Sequence, residues 1–262
     1  MMKVIILCGG MGTRLREETE YKPKPMVEIK GKPILWHIMK IYAHYGYRDF
    51  VLALGYKGDV IRDYFLNYHC YNNDFTVELG KQKAVRVHGN HNEHDWKVTL
   101  VETGMDTMTG YRVKQCGRYI QEDRFMLTYG DAVSNIDIRK LVDFHYSRDT
   151  IGTVSAVYPP SRFGDLTVSG DLVHKFKEKA KDVHNGNPIN GGFFVFKKEF
   201  LEMIPEDPNC DLERAPLEGL TNRKQLSVYR HHGFWQCMDT YRDYLLLNQM
   251  WENNPAWKVW HD

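Results

Sequence analysis

No stretch of this 262-residue chain approaches the ~20 consecutive apolar residues that a membrane-spanning helix needs. The opening run, Met-Met-Lys-Val-Ile-Ile-Leu-Cys, ends at Gly9 and Gly10, shorter than the usual apolar core of a secretory signal. Cysteine is sparse: Cys8, Cys70, Cys116, Cys210 and Cys237 are odd in number and contain no C-x-x-C pair. That argues against a disulfide scaffold and reads as reduced thiols, with the cytoplasm as the expected location. An excess of one charge is also missing, because 35 Lys and Arg face 34 Asp and Glu for a net +1. With no basic block, the electrostatic footprint of a nucleic-acid binder is absent. There is no internal repeat and no low-complexity tract. What is present is ordinary globular composition, 42% hydrophobic and 26% charged, in a chain long enough to form a core unaided.

Short apolar runs alternate with stretches of helical period, the pattern of βαβ units around a largely parallel sheet. Val4 to Leu7 is a continuous apolar run, as expected of a strand covered on both faces. Met26 to Ile29 reads as a short second strand. Pro33 stands at a helix start, followed by the stripe Leu35, Ile38, Met39 and Tyr42 before Gly46. Phe50 to Leu54 is a strand and Asp59 to Tyr68 a helix. Residues 70 to 96 are polar, aromatic and aperiodic, an excursion from the core. Strands follow at Val98 to Val101, Phe125 to Tyr129, Thr153 to Val157, Phe193 to Phe196 and Leu226 to Tyr229. Helices run through Val113 and Tyr119, from Ile138 to Tyr146 and from Tyr241 to Trp251. Leu166 to Val168 and Leu172 to Phe176 form a hairpin turning at Ser169-Gly170-Asp171.

The strongest chemical signal is Leu7-Cys8-Gly9-Gly10-Met11-Gly12-Thr13-Arg14-Leu15, directly after the first strand. Three glycines let backbone approach a phosphate closely, and consecutive N–H groups make an anion-binding concavity. A Walker loop requires G-x-x-x-x-G-K-[ST], which is absent. The dinucleotide fingerprint requires a third glycine where Leu15 stands. A glycine loop with Thr13 and Arg14 suits a triphosphate, though the glycines alone fit a tight strand-to-helix turn equally well. Lys22-Pro23-Lys24-Pro25-Met26 tips the balance: prolines give a stiff extended segment that aims lysines at a nearby anion.

These two blocks, in this order and spacing, resemble the sugar-nucleotide pyrophosphorylases, nucleotidyltransferases with a Rossmann-like fold. Further matches are Ile34-Leu35-Trp36-His37-Ile38-Met39-Lys40, Tyr129-Gly130-Asp131, Pro159-Pro160-x-Arg162-Phe163-Gly164, Ile189-Asn190-Gly191-Gly192-Phe193-Phe194 and Gly233-Phe234-Trp235-Gln236-x-Met238-Asp239-Thr240. They look like the glucose-1-phosphate cytidylyltransferase branch and cover nearly the whole chain. The implied fold is α/β: a mixed, mostly parallel sheet flanked by helices, with a small β-hairpin sugar-binding lobe. A single domain over 1–262 is expected, 1–150 binding nucleotide and 151–262 holding the sugar-binding part and C-terminal helix.

The resemblance implies that Asp131 and Asp239 together hold Mg²⁺. A carboxylate at a strand end lies where open α/β sheets place ligands, and Mg²⁺ is commonly held by one or two carboxylates plus substrate phosphates. A turn or helix N-cap is the plain structural alternative for both. Leu7, Gly9, Gly10, Met11, Gly12, Thr13, Arg14, Lys24, Thr107, Arg112 and Gly130 would line the CTP site, an exposed salt bridge being the alternative for Arg112. Gly164, Glu178, Lys179 and Asn190 match contacts to the sugar 1-phosphate, with an alternately charged hairpin edge as the alternative for Glu178-Lys179. Here the chain departs from its relatives, which usually have proline where Ala180 stands, and the insert Lys181 to Pro188 is its own.

The implied reaction is in-line attack of a sugar phosphate oxygen on the α-phosphorus of CTP, with Arg14 and Lys24 as catalytic cations. In the family the product, CDP-glucose, feeds deoxysugars of bacterial surface polysaccharides, and relatives are homo-oligomers. Two alternatives stand beside it: the same chemistry with another base or acceptor, and a non-catalytic nucleotide-sugar-binding regulatory subunit. His88, His91 and His94, spaced by three, read as a polar loop. Trp251, Trp257 and Trp260 read as core or interface packing.

Overall fold

The computed structural model describes residues 2–80, 84–159, 165–169, 171–177 and 187–261. Strand β1 (Val4–Leu7) is buried throughout, as an apolar run covered on both faces must be. After the glycine loop come α1 (Arg16–Thr19), then β2 (Glu28–Ile29) and β3 (Lys32–Pro33), paired antiparallel, and α2 (Ile34–His44). The strand expected from Met26 is therefore shorter. Lys24–Met26 forms a 3₁₀ turn, with Met26 N donating to Pro23 O at 2.8 Å and Val27 N to Lys24 O at 3.1 Å. The expected extended lysine segment is instead a turn whose φ values two prolines stabilise.

Strand β4 (Asp49–Leu54) is followed by two consecutive helices, α3 (Gly58–Leu66) and α4 (Tyr68–Asn72), where one helix was expected. The aperiodic excursion contains the exposed hairpin β5 (Asp74–Glu78) and β6 (Ala84–His88), apart from the main sheet. Then follow β7 (Lys97–Glu102), α5 (Thr109–Gly117), β8 (Arg124–Tyr129), the short β9 (Ala132–Ser134), α6 (Ile138–Tyr146) and β10 (Gly152–Val157). The hairpin β11 (Asp165–Ser169) and β12 (Leu172–Lys177) pairs antiparallel as expected, and its turn residue Gly170 lies outside the described residues. The chain closes with β13 (Ile189–Lys197), α7 (Phe200–Met203), α8 (Ala215–Asn222), β14 (Leu226–His231), β15 (Trp235–Cys237) and α9 (Tyr241–Asn253).

Seven strands form the main sheet in the order β14-β10-β13-β8-β1-β4-β7. Neighbours are parallel except around β13, which runs antiparallel to both β8 and β10. Strands from both halves of the sequence thus share one sheet, with one apolar cluster on each face. One cluster gathers α2 and the C-terminal segment, where fully buried Trp257 and nearly buried Trp260 lie around His37. The tryptophans are core. Among the described residues no helix is long and apolar enough to cross a membrane.

Candidate active site

The carboxyl ends of β1 and β8 open into a cavity of about 240 Å³. Leu7, Gly10, Gly12, Thr13, Arg14, Lys24, Gly130, Asp131 and Asp239 line it, so sequence positions spread over 230 residues meet there. Asp131 leaves the end of β8, and Asp239 stands just before α9. Their meeting is enforced by two three-residue strands: β15 pairs with β9 so that Cys237 opposes Ala132, and Met238 N donates to Asp131 O at 2.8 Å.

Local chemistry then fixes Asp239. Thr240 caps α9, its hydroxyl accepting from Asp243 N, while Asp243 Oδ2 accepts from Thr240 N at 2.9 Å and Asp239 N at 3.2 Å. This capping box gives the helix-capping role to Thr240 and leaves the Asp239 carboxylate aimed at the cavity. The T-x-x-D spacing was a signal available in the sequence.

Lys24 binds the two aspartates together. Its ammonium donates to Asp131 Oδ2 at 2.7 Å and to Asp239 Oδ1 at 2.5 Å. Burial lowers the Lys24 pKa, but Asp131 and then Asp239 more than reverse that and hold it above the ordinary lysine value. Arg14 pairs with the other side of Asp239, Nη1 to Oδ2 at 3.1 Å, and is largely exposed at 74%. Behind Lys24, Gly12 adopts φ +62°, and an added Cβ would press on Lys24 Cβ at 3.1 Å, so glycine both permits the turn and seats the lysine.

Gly9 and Arg112 do not line the cavity; they build its floor. Arg112 is 4% exposed. Its Nη1 donates to Leu54 O at 3.0 Å, Thr103 Oγ1 at 2.7 Å and Gly104 O at 2.8 Å, and Nη2 to Met105 O at 3.2 Å. The exposed salt bridge considered for it does not form. A Cβ on Gly9 would collide with the Arg112 guanidinium, which explains glycine there by close approach. Thr107 Oγ1 donates to Thr103 O at 2.9 Å within the same clasped loop; neither Thr107 nor the exposed Met11 lines the cavity. Cys8 lies in the cavity floor with its thiol pKa pushed far up by burial, which leaves no thiolate nucleophile.

Asn190, the second residue of β13, does not line the cavity but donates to the Oη of Tyr129, which does, at 3.3 Å. Gly164, Glu178 and Lys179 lie outside the described residues. Sequence reasoning missed Pro25, Thr109 and Tyr129, which also line the cavity. It missed Glu213 as well, which accepts from Thr109 Oγ1 at 2.9 Å and from the Tyr129 phenol. The three histidines spaced by three stay in the excursion: His88 ends β6, not a loop, and contacts Thr76 at 2.9 Å, while His91 contacts His69 at 3.0 Å.

With this geometry in view, comparison with known proteins is specific. Residues 3–254 match the protein family described as Nucleotidyl transferase. The chain is 46% identical over 261 residues to a glucose-1-phosphate cytidylyltransferase of Salmonella typhi, covering 99% of this chain and 100% of that one. It is 44% identical over 260 residues to a probable glucose-1-phosphate cytidylyltransferase of Bacillus subtilis, again covering 99% and 100%. Among solved structures, HddC from Yersinia pseudotuberculosis superposes with a TM-score of 0.69 at 25% identity, covering 96% of this chain and 100% of that one. Glycine loop, lysine turn and paired aspartates are thus set in a fold and a sequence that agree over nearly the full length, and the chain belongs to the nucleotidyl transferase family.

Proposed function

We propose that this chain joins CTP to α-D-glucose 1-phosphate, forming CDP-glucose and pyrophosphate. The observation that carries the reading is the convergence of Lys24 on Asp131 and Asp239 at the mouth of the glycine loop. Relatives at 44% and 46% identity that bear the cytidylyltransferase name support the choice of base and sugar. A phosphate oxygen of the sugar phosphate attacks the α-phosphorus, the bond to the bridging oxygen breaks, and pyrophosphate departs with the electron pair.

Mg²⁺ fits the residues present. Among the described residues no three of His, Cys, Asp and Glu form a ready ligand set. A pair of carboxylates sharing one ammonium is instead the partial oxygen set that Mg²⁺ completes with substrate phosphates. Asp131 and Asp239 would hold the ion, which supplies charge neutralisation at the triphosphate and polarises the phosphoryl group under attack.

The remaining work is positional and electrostatic. The loop residues that line the cavity, Gly10, Gly12 and Thr13, offer backbone N–H groups to phosphate oxygens. Lys24 and Arg14 place positive charge where negative charge accumulates in the transition state. Neither cation needs to exchange a proton, and no covalent enzyme intermediate is formed. Pyrophosphate release from four nucleoside triphosphates, each paired with several hexose 1-phosphates, tests the proposal. CTP with glucose 1-phosphate should give the highest kcat/KM. A tenfold preference for another pair would overturn the substrates, and no release from any pair would overturn the reaction.

A further inference from the structure

The cavity wall facing the glycine loop carries a hydrogen-bond chain that the reaction above leaves without a role. Tyr129 Oη donates to Glu213 Oε1, and Thr109 Oγ1 donates to Glu213 Oε2 at 2.9 Å. Asn190 Nδ2 donates to Tyr129 Oη at 3.3 Å, while Asn190 Oδ1 accepts from Gly192 N at 2.8 Å. That last bond fixes the amide, so its NH₂ end faces the phenol. Trp235 Nε1 donates to Gly191 O at 2.8 Å and braces the same stretch of β13.

Position in the sheet separates this wall from the phosphate loop. The glycine loop follows β1, whereas Tyr129 ends β8 and Asn190 begins β13, in the strand order β13-β8-β1. Asp131 and Lys24 lie between the two. A triphosphate seated over β1 therefore leaves the β8–β13 side to the other reactant. A carboxylate on that wall repels phosphate but accepts from neutral hydroxyls, so the wall suits a sugar ring better than a phosphate group.

We infer that Tyr129 accepts a hydrogen bond from one hydroxyl of the acceptor sugar, and that Glu213 is the positioning residue that fixes this polarity. The inference rests on the proposed sugar-phosphate activity. A phenol has one hydrogen and two lone pairs. Glu213 takes the hydrogen and Asn190 meets one lone pair, and among the described residues no other hydrogen bond is made to this oxygen, which leaves one acceptor site on a side chain that lines the cavity. A ring position bearing a hydroxyl satisfies that site, and one lacking it leaves the site unpaired.

The test is kcat/KM with CTP for glucose 1-phosphate and its four monodeoxy analogues, using wild type, Tyr129→Phe, Glu213→Gln and Glu213→Ala. Tyr129→Phe should lower kcat/KM for the parent sugar by about 10- to 100-fold, mainly through the sugar-phosphate KM, the range for losing one such buried hydrogen bond. For one monodeoxy analogue the loss should shrink below about threefold, since the contact is already missing. Glu213→Ala should repeat that pattern, and Glu213→Gln, which keeps a carbonyl acceptor, should restore most of the activity. The CTP KM should stay within about twofold in all three, since none of them touches the phosphate loop. Equal losses on every analogue, or an effect confined to CTP, would overturn the inference and leave the reaction standing. If wild type neither binds any hexose 1-phosphate by calorimetry nor turns one over, the functional reading fails and the inference with it.

Discussion

The two sides of the cavity are held by different means. Over β1 and β4 the lining is the glycine loop, held from behind by Arg112, buried and donating to three carbonyls and a hydroxyl. Over β8 and β13 stands a hydrogen-bonded set of side chains, Tyr129, Asn190 and the surface residue Glu213. A triphosphate is the same in every nucleotide, so a rigid backbone cradle serves all of them. A sugar is distinguished by where its hydroxyls point, and only side chains of defined polarity read that. Substitutions on the first side should therefore break binding of the common group, while those on the second should alter selectivity.

The aspartates between the two sides should give the largest effect. Asp131→Asn and Asp239→Asn are each expected to lower turnover at least ~10³-fold at saturating Mg²⁺, because each removes charge from the site proposed for the ion. Pyrophosphate release measures this, with circular dichroism confirming that the fold persists. Near-normal kcat in both would remove the metal assignment.

Next come the cations. Lys24→Ala should lower kcat about 10²-fold, the loss of a preorganised charge-stabilising donor. Arg14→Ala should cost at least about tenfold, less than Lys24 because its guanidinium is 74% exposed with a single ion pair to Asp239. An effect seen only in KM for CTP would mean that these groups hold ground state and transition state equally.

The phosphate side can be broken from behind. Arg112→Met removes a donor from Leu54 O and Gly104 O, which keep only their bonds from Thr103 and Thr107, and takes from Met105 O its bond to the guanidinium, and should destabilise the fold by about 1–3 kcal/mol. The CTP KM should rise while discrimination among deoxy-sugar phosphates stays as in wild type. Loss of that discrimination would show the two sides to be one mechanical unit.

The smallest effect lies away from both sides. His37 is buried under the tryptophans, donating to Ile29 O at 3.3 Å and accepting from Trp257 Nε1 at 3.4 Å. Burial holds its pKa down at about 3, against 6.5 when unfolded. The unfolded chain therefore takes up the proton first, and stability is lost as pH falls from 6.5 toward 3, by roughly 1.4 kcal/mol per pH unit. His37→Gln, which still donates and accepts, should flatten Tm between pH 7 and 5 and leave kcat at pH 7.5 unchanged. A Tm profile as steep as wild type would assign the acid sensitivity to another group, such as buried His145.

The glycine loop was legible because its geometry is local, whereas the lysine segment was read as extended and is a 3₁₀ turn. A strand, three glycines and two prolines impose their geometry within some twenty residues, and the seven-stranded sheet followed from apolar runs of strand length. Arg112 was expected in the lining of the nucleotide site, and its burial behind the loop was not foreseen, since one arginine in a polar helix start has no period to betray it. Glu213 carried no signal at all: it meets Tyr129 across 84 positions of sequence through a loop.

The sequence by itself determined the fold class, the glycine loop after β1 and the lysine that follows it. These depend on neighbours along the chain, whose spacing fixes dihedral preference and apolar period. Only the tertiary structure decided that Asp239 stands beside Asp131 and that Tyr129 faces Glu213. The first meeting depends on β9 and β15, three residues each, too short to have a readable alternation. They exist because the packed sheet and the capped start of α9 hold them together, and that free energy comes from long-range burial rather than local propensity.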